Sequence, residues 1–455
     1  MQEADVLGGG LRSFPVLRGS RGCDVLIIGG GFSGVLTAYM AAEAGLRVCV
    51  AEARRFGSGA SSACMGVITA QMGERYQAAA DISSEAASVW ARMTWQSVRK
   101  AEKLIARLQP SIHAYRHRNA VYAVTGAEGA SLEALVSLEQ SLRLPVAFTE
   151  DTGDCPVPVR MAATMEDQLL VDSGMLFHAL IEAALQRGAA MYEYSPVRAL
   201  KKGVAMTENG SVTASHIILA TGWPIGMHDS AQMNALSQQS WLVSRLSGGS
   251  VCHGTYLRIG SGDSFAPSQY GLLAATPLGT VGLKQTERKT ARAQQNQKKQ
   301  LQDWSALHET VQQCVHTVGG LPMVGALERN EPGLMAIAGC DVYGFAQSLV
   351  AAELLASRIL GKPLAESALF EPTGSFHHYA AQKAARRRHG MHRMANIAHR
   401  SRPVCTHMGC RMRWNATRSL WECPCHGSAF TDSGACCCGP AMRDARVPEH
   451  LRHPW

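Results

Sequence analysis

Two cysteine and histidine pairs stand close together near the end of this 455-residue sequence. From Pro403 the chain reads PVCTHMGCRMRWNATRSLWECPCHGSAF, so that Cys405 is paired with His407 and Cys423 with His426. Two thiolates and two imidazoles are transition-metal ligands, and two kinds of centre use such a set. One is a tetrahedral zinc site; the other is a two-iron cluster in which two histidines replace two cysteines on one iron. Seven of the 14 cysteines fall between Cys405 and Cys438 while the rest are scattered singly, a distribution that fits metal binding better than a disulfide scaffold.

A second segment carries chemistry in its spacing: DVLIIGGGFSGVLTAYMAAEAGLRVCVAEA, from Asp24 to Ala53. It predicts a strand over Val25 to Ile28, a helix over Val35 to Ala44 and a parallel strand over Val48 to Val50. Between the first strand and the helix, Gly29, Gly31 and Gly34 form a G-x-G-x-x-G turn around Phe32 and Ser33. Gly29 makes the turn tight, Gly31 lets the backbone approach a pyrophosphate, and Gly34 lets the helix pack on the strand. The anion then meets the N–H groups of the helix start. Glu52, beside Ala53, ends the second strand where a carboxylate can accept hydrogen bonds from ribose hydroxyls. NAD and FAD share the ribose and pyrophosphate, so this unit alone does not separate them.

Two later segments extend the same plan. A helix over Met175 to Gln186 is followed by strands around Ala190 to Leu200, which include Val197, and by SHIILATG, Ser215 to Gly222. Further on, GLPMVGAL (Gly320 to Leu327) precedes LMAIAGCDVYGFAQSLVAAELLASRILG (Leu334 to Gly361), which reads as a strand, a glycine turn and a helix. The helix N-terminus could face an electron-rich ring.

The order of these pieces, with FGSGASSACMGVITAQMG at Phe56 to Gly73, resembles the D-amino-acid oxidase, glycine oxidase and sarcosine oxidase superfamily, specifically its bacterial flavoproteins with a C-terminal Rieske domain. The resemblance covers most of Ser13 to Gly361. It implies FAD, with Ser61 and Ser62 near the pyrophosphate and flavin, Ala220, Thr221 and Gly222 beside the cofactor, and Gly339, Tyr343 and Gly344 near the isoalloxazine. The C-T-H-x-G-C and C-P-C-H-G-S frames resemble Rieske proteins. They imply a [2Fe-2S] cluster on Cys405, His407, Cys423 and His426, with Cys410 and Cys425 as the disulfide that ties the ligand loops. The sequence departs from these relatives at Gly319, where an aspartate is usual, and before Cys405, where strands of the cluster domain are expected but AAQKAARRRHGMHRMANIAHRSR stands instead. Cys436, Cys437 and Cys438 have no assigned role.

The expected fold is α/β with an α+β substrate part. A Rossmann-like FAD domain with an interleaved substrate domain spans 22–365, its nucleotide-binding segments at about 22–75, 165–225 and 318–362. A linker over 366–402 leads to a small all-β Rieske-like domain at 403–455. His377, His378, His389 and His392 are expected on the solvated linker. The net charge of +8 gathers in Lys284 to Lys299 and Lys383 to Arg402, without the aromatic interleaving that nucleic-acid binding would need. Val25 to Ala42 is uncharged, but its four glycines make it strand, turn and helix rather than a membrane span. No secretion signal is read at the N-terminus, so a cytoplasmic location is expected. The resemblance implies oxidation of a small molecule, in particular an amine or amino acid, with electrons passing from flavin to the cluster and on to an acceptor that the sequence does not identify. Tyr343 and Arg258 are candidates for the substrate pocket, and no catalytic residue is assigned. The alternatives are a flavin oxidase that uses oxygen beside a non-functional cluster domain, and a non-catalytic electron carrier or redox sensor.

Overall fold

The computed structural model describes residues 12–108, 112, 114–149, 154–249, 252–269, 271–281, 286–342, 344–384 and 402–452. Tyr343, His389, His392 and the end of the cluster domain after 452 lie outside them.

The aliphatic run ending at Ile28 forms the buried end of β1 (Gly19–Ile28), the G-x-G-x-x-G turn follows, and α1 (Phe32–Glu43) leads back to β2 (Val48–Ala51). β1 and β2 are parallel, with Val25 opposite Val48 and Ile28 opposite Ala51. They sit in a sheet whose main path runs Met323–Ala326, Leu334–Ala338, Gly210–Gly222, β1, β2, Ala190–Tyr192. Apart from the antiparallel edge strand Met323–Ala326, the neighbours on this path are parallel. The cleft at their carboxyl ends is where an open α/β sheet binds its ligand. The helix Gly344–Ile359 packs beside α1: Ser33 and Ser348 share a hydrogen bond of 2.7 Å, and Phe345 meets Phe32 edge-on at 5.4 Å.

A nine-stranded sheet faces this domain. It gathers strands from segments far apart in the chain, such as Ala114–Ala123, Thr255–Arg258 and Trp304–Thr317. A small antiparallel sheet of Arg413–Asn415, Leu420–Glu422, Ala429–Phe430 and Cys436–Cys438 makes the C-terminal domain. Its core is Met412, Trp421 and Phe430 with the cysteines of the two ligand frames. No helix among the described residues is long and apolar enough to cross a membrane.

The stretch expected as a solvated linker is structured at its start. Residues 375–384 are helical, and Phe376, Ala380 and Ala381 are buried. His377 is 1% exposed, which corrects its expected place in solvent; burial lowers its pKa to about 4 and keeps the imidazole neutral. His378 is exposed and bonded to Gln382 at 2.9 Å. The same helix accounts for Gly319. A Cβ there would lie 3.0 Å from Ile82 and Phe376 and 3.2 Å from Ala380, so an aspartate would have to enter a filled apolar pocket.

Candidate cofactor cleft and cluster site

The glycine turn is built from close backbone approaches. Gly29 has φ +113°, and a Cβ on it would lie 2.4 Å from the Ala220 carbonyl oxygen; one on Gly34 would lie 2.0 Å from the Gly29 carbonyl. Gly31 is the N-cap of α1 and has no side chain to cap it, so other groups must meet the first N–H groups of the helix. Phe32 N–H donates to Ser61 Oγ at 3.0 Å. Glu52 accepts from the N–H groups of Gly30 at 2.7 Å and Arg54 at 2.8 Å. Burial raises its pKa, and these two donors work against that rise.

These elements enclose a cavity of about 340 Å³, within the ordinary ligand-site range of about 300–1,000 Å³. Gly29, Gly31, Phe32, Ser33, Glu52, Ala53, Ser61, Val197, Ala220, Thr221, Gly222, Gly339 and Gly344 all line it. Gly34 and Ser62 do not; Gly34 packs under the turn, and the buried Ser62 hydroxyl donates to Gly59 O at 2.9 Å. Arg258 also falls outside the cavity wall. It is ion-paired with Glu128 at 2.9 Å, so its charge is spent on the protein rather than in a substrate pocket.

The nine-stranded sheet supplies residues of the opposite wall that local sequence patterns do not reveal. Asn119 and Thr255 lie opposite each other on parallel strands and both line the cavity. Thr255 donates to Asn119 Oδ1 at 2.6 Å, Asn119 Nδ2 donates to Gln71 Oε1 at 2.7 Å, and His117 Nε2 lies 2.7 Å from Thr255 Oγ1. Since the Thr255 hydrogen goes to Asn119, His117 donates from Nε2, as a neutral imidazole whose pKa burial lowers to about 4. At the turn before the helix Gly344–Ile359, Asp341 lines the cavity and is ion-paired with Arg75. Burial opposes the Asp341 charge, yet Arg75 and His316 hold the carboxyl below its ordinary range. Cys340 lines the cavity as well, and burial pushes its thiol up to about 11.

In the C-terminal domain the two ligand frames face each other. Each folds as a turn closed on its own cysteine, with Gly409 N–H donating to Cys405 O at 3.0 Å and Gly427 N–H to Cys423 O at 2.9 Å. The His407 and His426 rings are 5.2 Å apart. Cys410, Cys423 and Cys425 thiols lie within 4.8 Å of one another, and all three are free cysteines, so the expected Cys410–Cys425 disulfide is not formed in this structure although the two residues are neighbours. The histidines point toward the flavoprotein part. His407 Nε2 is 2.8 Å from Met227 O, its ring stacks on His228 at 5.5 Å, and His426 meets Trp223 edge-on at 5.6 Å. A carbonyl only accepts, so His407 carries its proton on Nε2. That leaves Nδ1 a bare lone pair, buried and without a hydrogen-bond partner. This arrangement fits a metal ligand whose outer nitrogen is fixed by a backbone carbonyl.

Fold and site together define a flavoprotein carrying an iron–sulfur domain. The sequence model for FAD dependent oxidoreductases matches residues 24–358, and that for the Rieske [2Fe-2S] domain matches 394–450. The chain belongs to the FAD-dependent oxidoreductase family, and its cofactors are FAD and a Rieske-type [2Fe-2S] cluster. It is 25% identical over 490 residues to the Rieske 2Fe-2S iron-sulfur protein YhfW of Bacillus subtilis, covering 95% of this chain and 94% of that one. Among solved structures, its fold is similar to glycine oxidase from Geobacillus kaustophilus, at TM-score 0.65 and 20% identity over 78% of this chain and 99% of the other. L-proline dehydrogenase from P. horikoshii gives TM-score 0.63 at 16% identity, over 78% and 98%.

Proposed function

We propose that this chain is a dehydrogenase that oxidises an amine or amino-acid-like small molecule and sends the electrons through its own cluster to a separate acceptor. The observation that carries this reading is the seating of the cluster's ligand loop on the wall of the cofactor cleft. A Cβ on Gly427, next to His426, would lie 1.7 Å from Gln238 Oε1. Gln238 donates to Gln313 at 2.8 Å, and Gln313 donates to Glu422 of the cluster domain at 2.9 Å. Both glutamines also line the cavity, so one layer of side chains separates the cleft from the ligand loop.

Bound in these sites, FAD supplies a two-electron acceptor and the cluster a one-electron relay. For FAD the holding residues are Gly29, Gly31, Phe32, Ser33, Glu52, Ala53, Ser61, Val197, Ala220, Thr221, Gly222, Gly339 and Gly344, with Gly34 and Ser62 shaping the turns behind them. For the cluster they are Cys405, His407, Cys423 and His426, braced by Cys410 and Cys425. Toward the substrate, Asn119 and Thr255 present a polar wall already fixed by His117 and Gln71, so ordering it costs little on binding. Arg75 holds Asp341 and with it the backbone that follows Gly339. The amine class is supported by the names of the structural neighbours, glycine oxidase and L-proline dehydrogenase.

Anaerobic mixing of the holoprotein with a panel of amino acids and amines tests this. The flavin absorbance is expected to bleach with one substrate, and a Rieske EPR signal to grow in after it. Bleaching with the cluster left oxidised, followed by rapid reoxidation in air, would mark an oxidase. Failure of every small molecule beside success of a protein reductant would mark an electron carrier.

A further inference from the structure

The three successive cysteines, Cys436 to Cys438, are not idle surface. They form the last strand of the cluster domain, and together with Arg418, Gly439, Ala441 and Met442 they line the same cavity as the glycine turn. The turn after them is fastened to the flavoprotein part: Gly226 N–H donates to Pro440 O at 3.1 Å, and Arg198 pairs with Asp444 at 3.4 Å. Packing there leaves little slack. A Cβ on Gly439 would lie 2.6 Å from Ile225, and one on Gly226 would lie 3.2 Å from Met442 Sδ.

The end of the cleft that this strand closes can be read from its charged neighbours. Asp444 accepts from the Cys436 N–H at 2.9 Å and pairs with Arg198 at 3.4 Å, and Arg54, Arg198 and Arg418 line the same cavity as Cys437. Arg54 follows Glu52 and Ala53, and Arg198 follows Val197, at the ribose and adenine side of a dinucleotide fold. Gly339 and Cys340 mark the other end. Cys436 packs against the cluster domain's core and its thiol lies 3.2 Å from Ala441 O. Cys437 is the bulged residue between Cys436, opposite Phe430, and Cys438, opposite Ala429; it lines the cavity, its thiol 3.5 Å from Ala435 O.

We propose that the cluster domain is part of the FAD site, its strand Cys436–Cys438 closing the cleft over the adenosine half of the nucleotide with Cys437 as the contacting side chain. The nucleotide is then held between two domains. The inference rests on FAD binding and needs no substrate or electron transfer, so it stands or falls separately from the dehydrogenase reading.

Thiol footprinting of the full chain tests it. Iodoacetamide labelling, read peptide by peptide by mass spectrometry, is compared between holoprotein and protein freed of FAD with its cluster absorbance retained. Labelling of Cys437 is expected to rise about tenfold on FAD removal, since the bound nucleotide covers the thiol in the loaded form, while Cys155, which does not line the cavity, is unchanged. Equal labelling of Cys437 in both forms would overturn the proposal. In a second arm, Cys437→Glu sets a longer, charged side chain against the adenosine and is expected to weaken FAD retention in equilibrium dialysis by about tenfold. Cys437→Ser should stay near the parent. A Cys437→Glu protein with full cluster signal and undiminished FAD retention would also overturn it.

Discussion

At His407 the two ring nitrogens have separate tasks: Nε2 meets the Met227 carbonyl, and Nδ1 is buried without a hydrogen-bond partner, as a metal ligand's would be. His407→Cys replaces an imidazole by a thiolate and adds negative charge to the cluster, so its reduction potential is expected to fall by roughly 200 mV or more. An EPR-monitored redox titration checks this, and an unchanged potential would take His407 out of the ligand set. Glu52 works at the same scale. Its carboxylate orders the Gly30 and Arg54 amides, so Glu52→Gln is expected to weaken FAD binding by about tenfold in a fluorescence titration while the fold is kept. Residues of this kind were legible in the sequence because their chemistry is written in short spacings: C-T-H, C-P-C-H, G-x-G-x-x-G. Asn119, Thr255, Gln238 and Gln313 were not, because each is ordinary in its own stretch and becomes part of a wall only when distant strands pair.

Among the elements, the helix Gly126–Ser141 combines a strong start with a costly interior. Thr125 and Glu128 form a reciprocal capping box at its N-terminus, while Glu139 near its end is fully buried. Burial pushes the Glu139 carboxyl up to about 8, with Gln71 working against the rise. Its folded pKa is thus above its unfolded one, so the folded chain keeps a proton that the unfolded chain releases. The stability this contributes is fully present below about 4.5 and is lost as pH rises through about 8. Against Glu139→Gln, the parent protein should lose up to about 4 kcal/mol between pH 4.5 and 8. Denaturant melts at the two pH values measure it, and a pH-independent difference would refute it. Elements as a class divided by locality. The unit β1–α1–β2 and the Leu334–Ala338 strand with its following helix follow from hydrophobic period and glycine turns. The nine-stranded sheet does not, since Asn119 meeting Thr255 is a long-range register that no local period encodes. The helix at 375–384 was missed for a related reason: it runs into the basic stretch that follows and reads with it as solvated until Phe376 and His377 are seen to be buried.

In the whole molecule the junction between the flavoprotein part and the cluster domain is close-packed. Gly427→Ala would press its new Cβ into Gln238 from a backbone with φ +75°. Cluster reduction after flavin bleaching, followed by stopped-flow absorbance, is expected to slow by about tenfold, and Gln238→Ala, which leaves only ordinary contact there, should restore part of the rate. Unaltered kinetics in the single variant would show that this contact does not set the separation. The junction was illegible in the sequence because it joins side chains some two hundred positions apart across independently folding patterns. The strand order of the parallel sheet also governs when the protein can become itself. β1 sits at the centre, but its neighbour Gly210–Gly222 arrives far later, and that strand in turn needs Leu334–Ala338. A nascent chain therefore leaves the ribosome with its glycine turn exposed and its sheet unfinished until about three quarters of synthesis is over, since non-local pairings must wait for their partners. The nucleotide site is thus among the last parts of the sheet to be completed, although its glycine turn is among the first residues made.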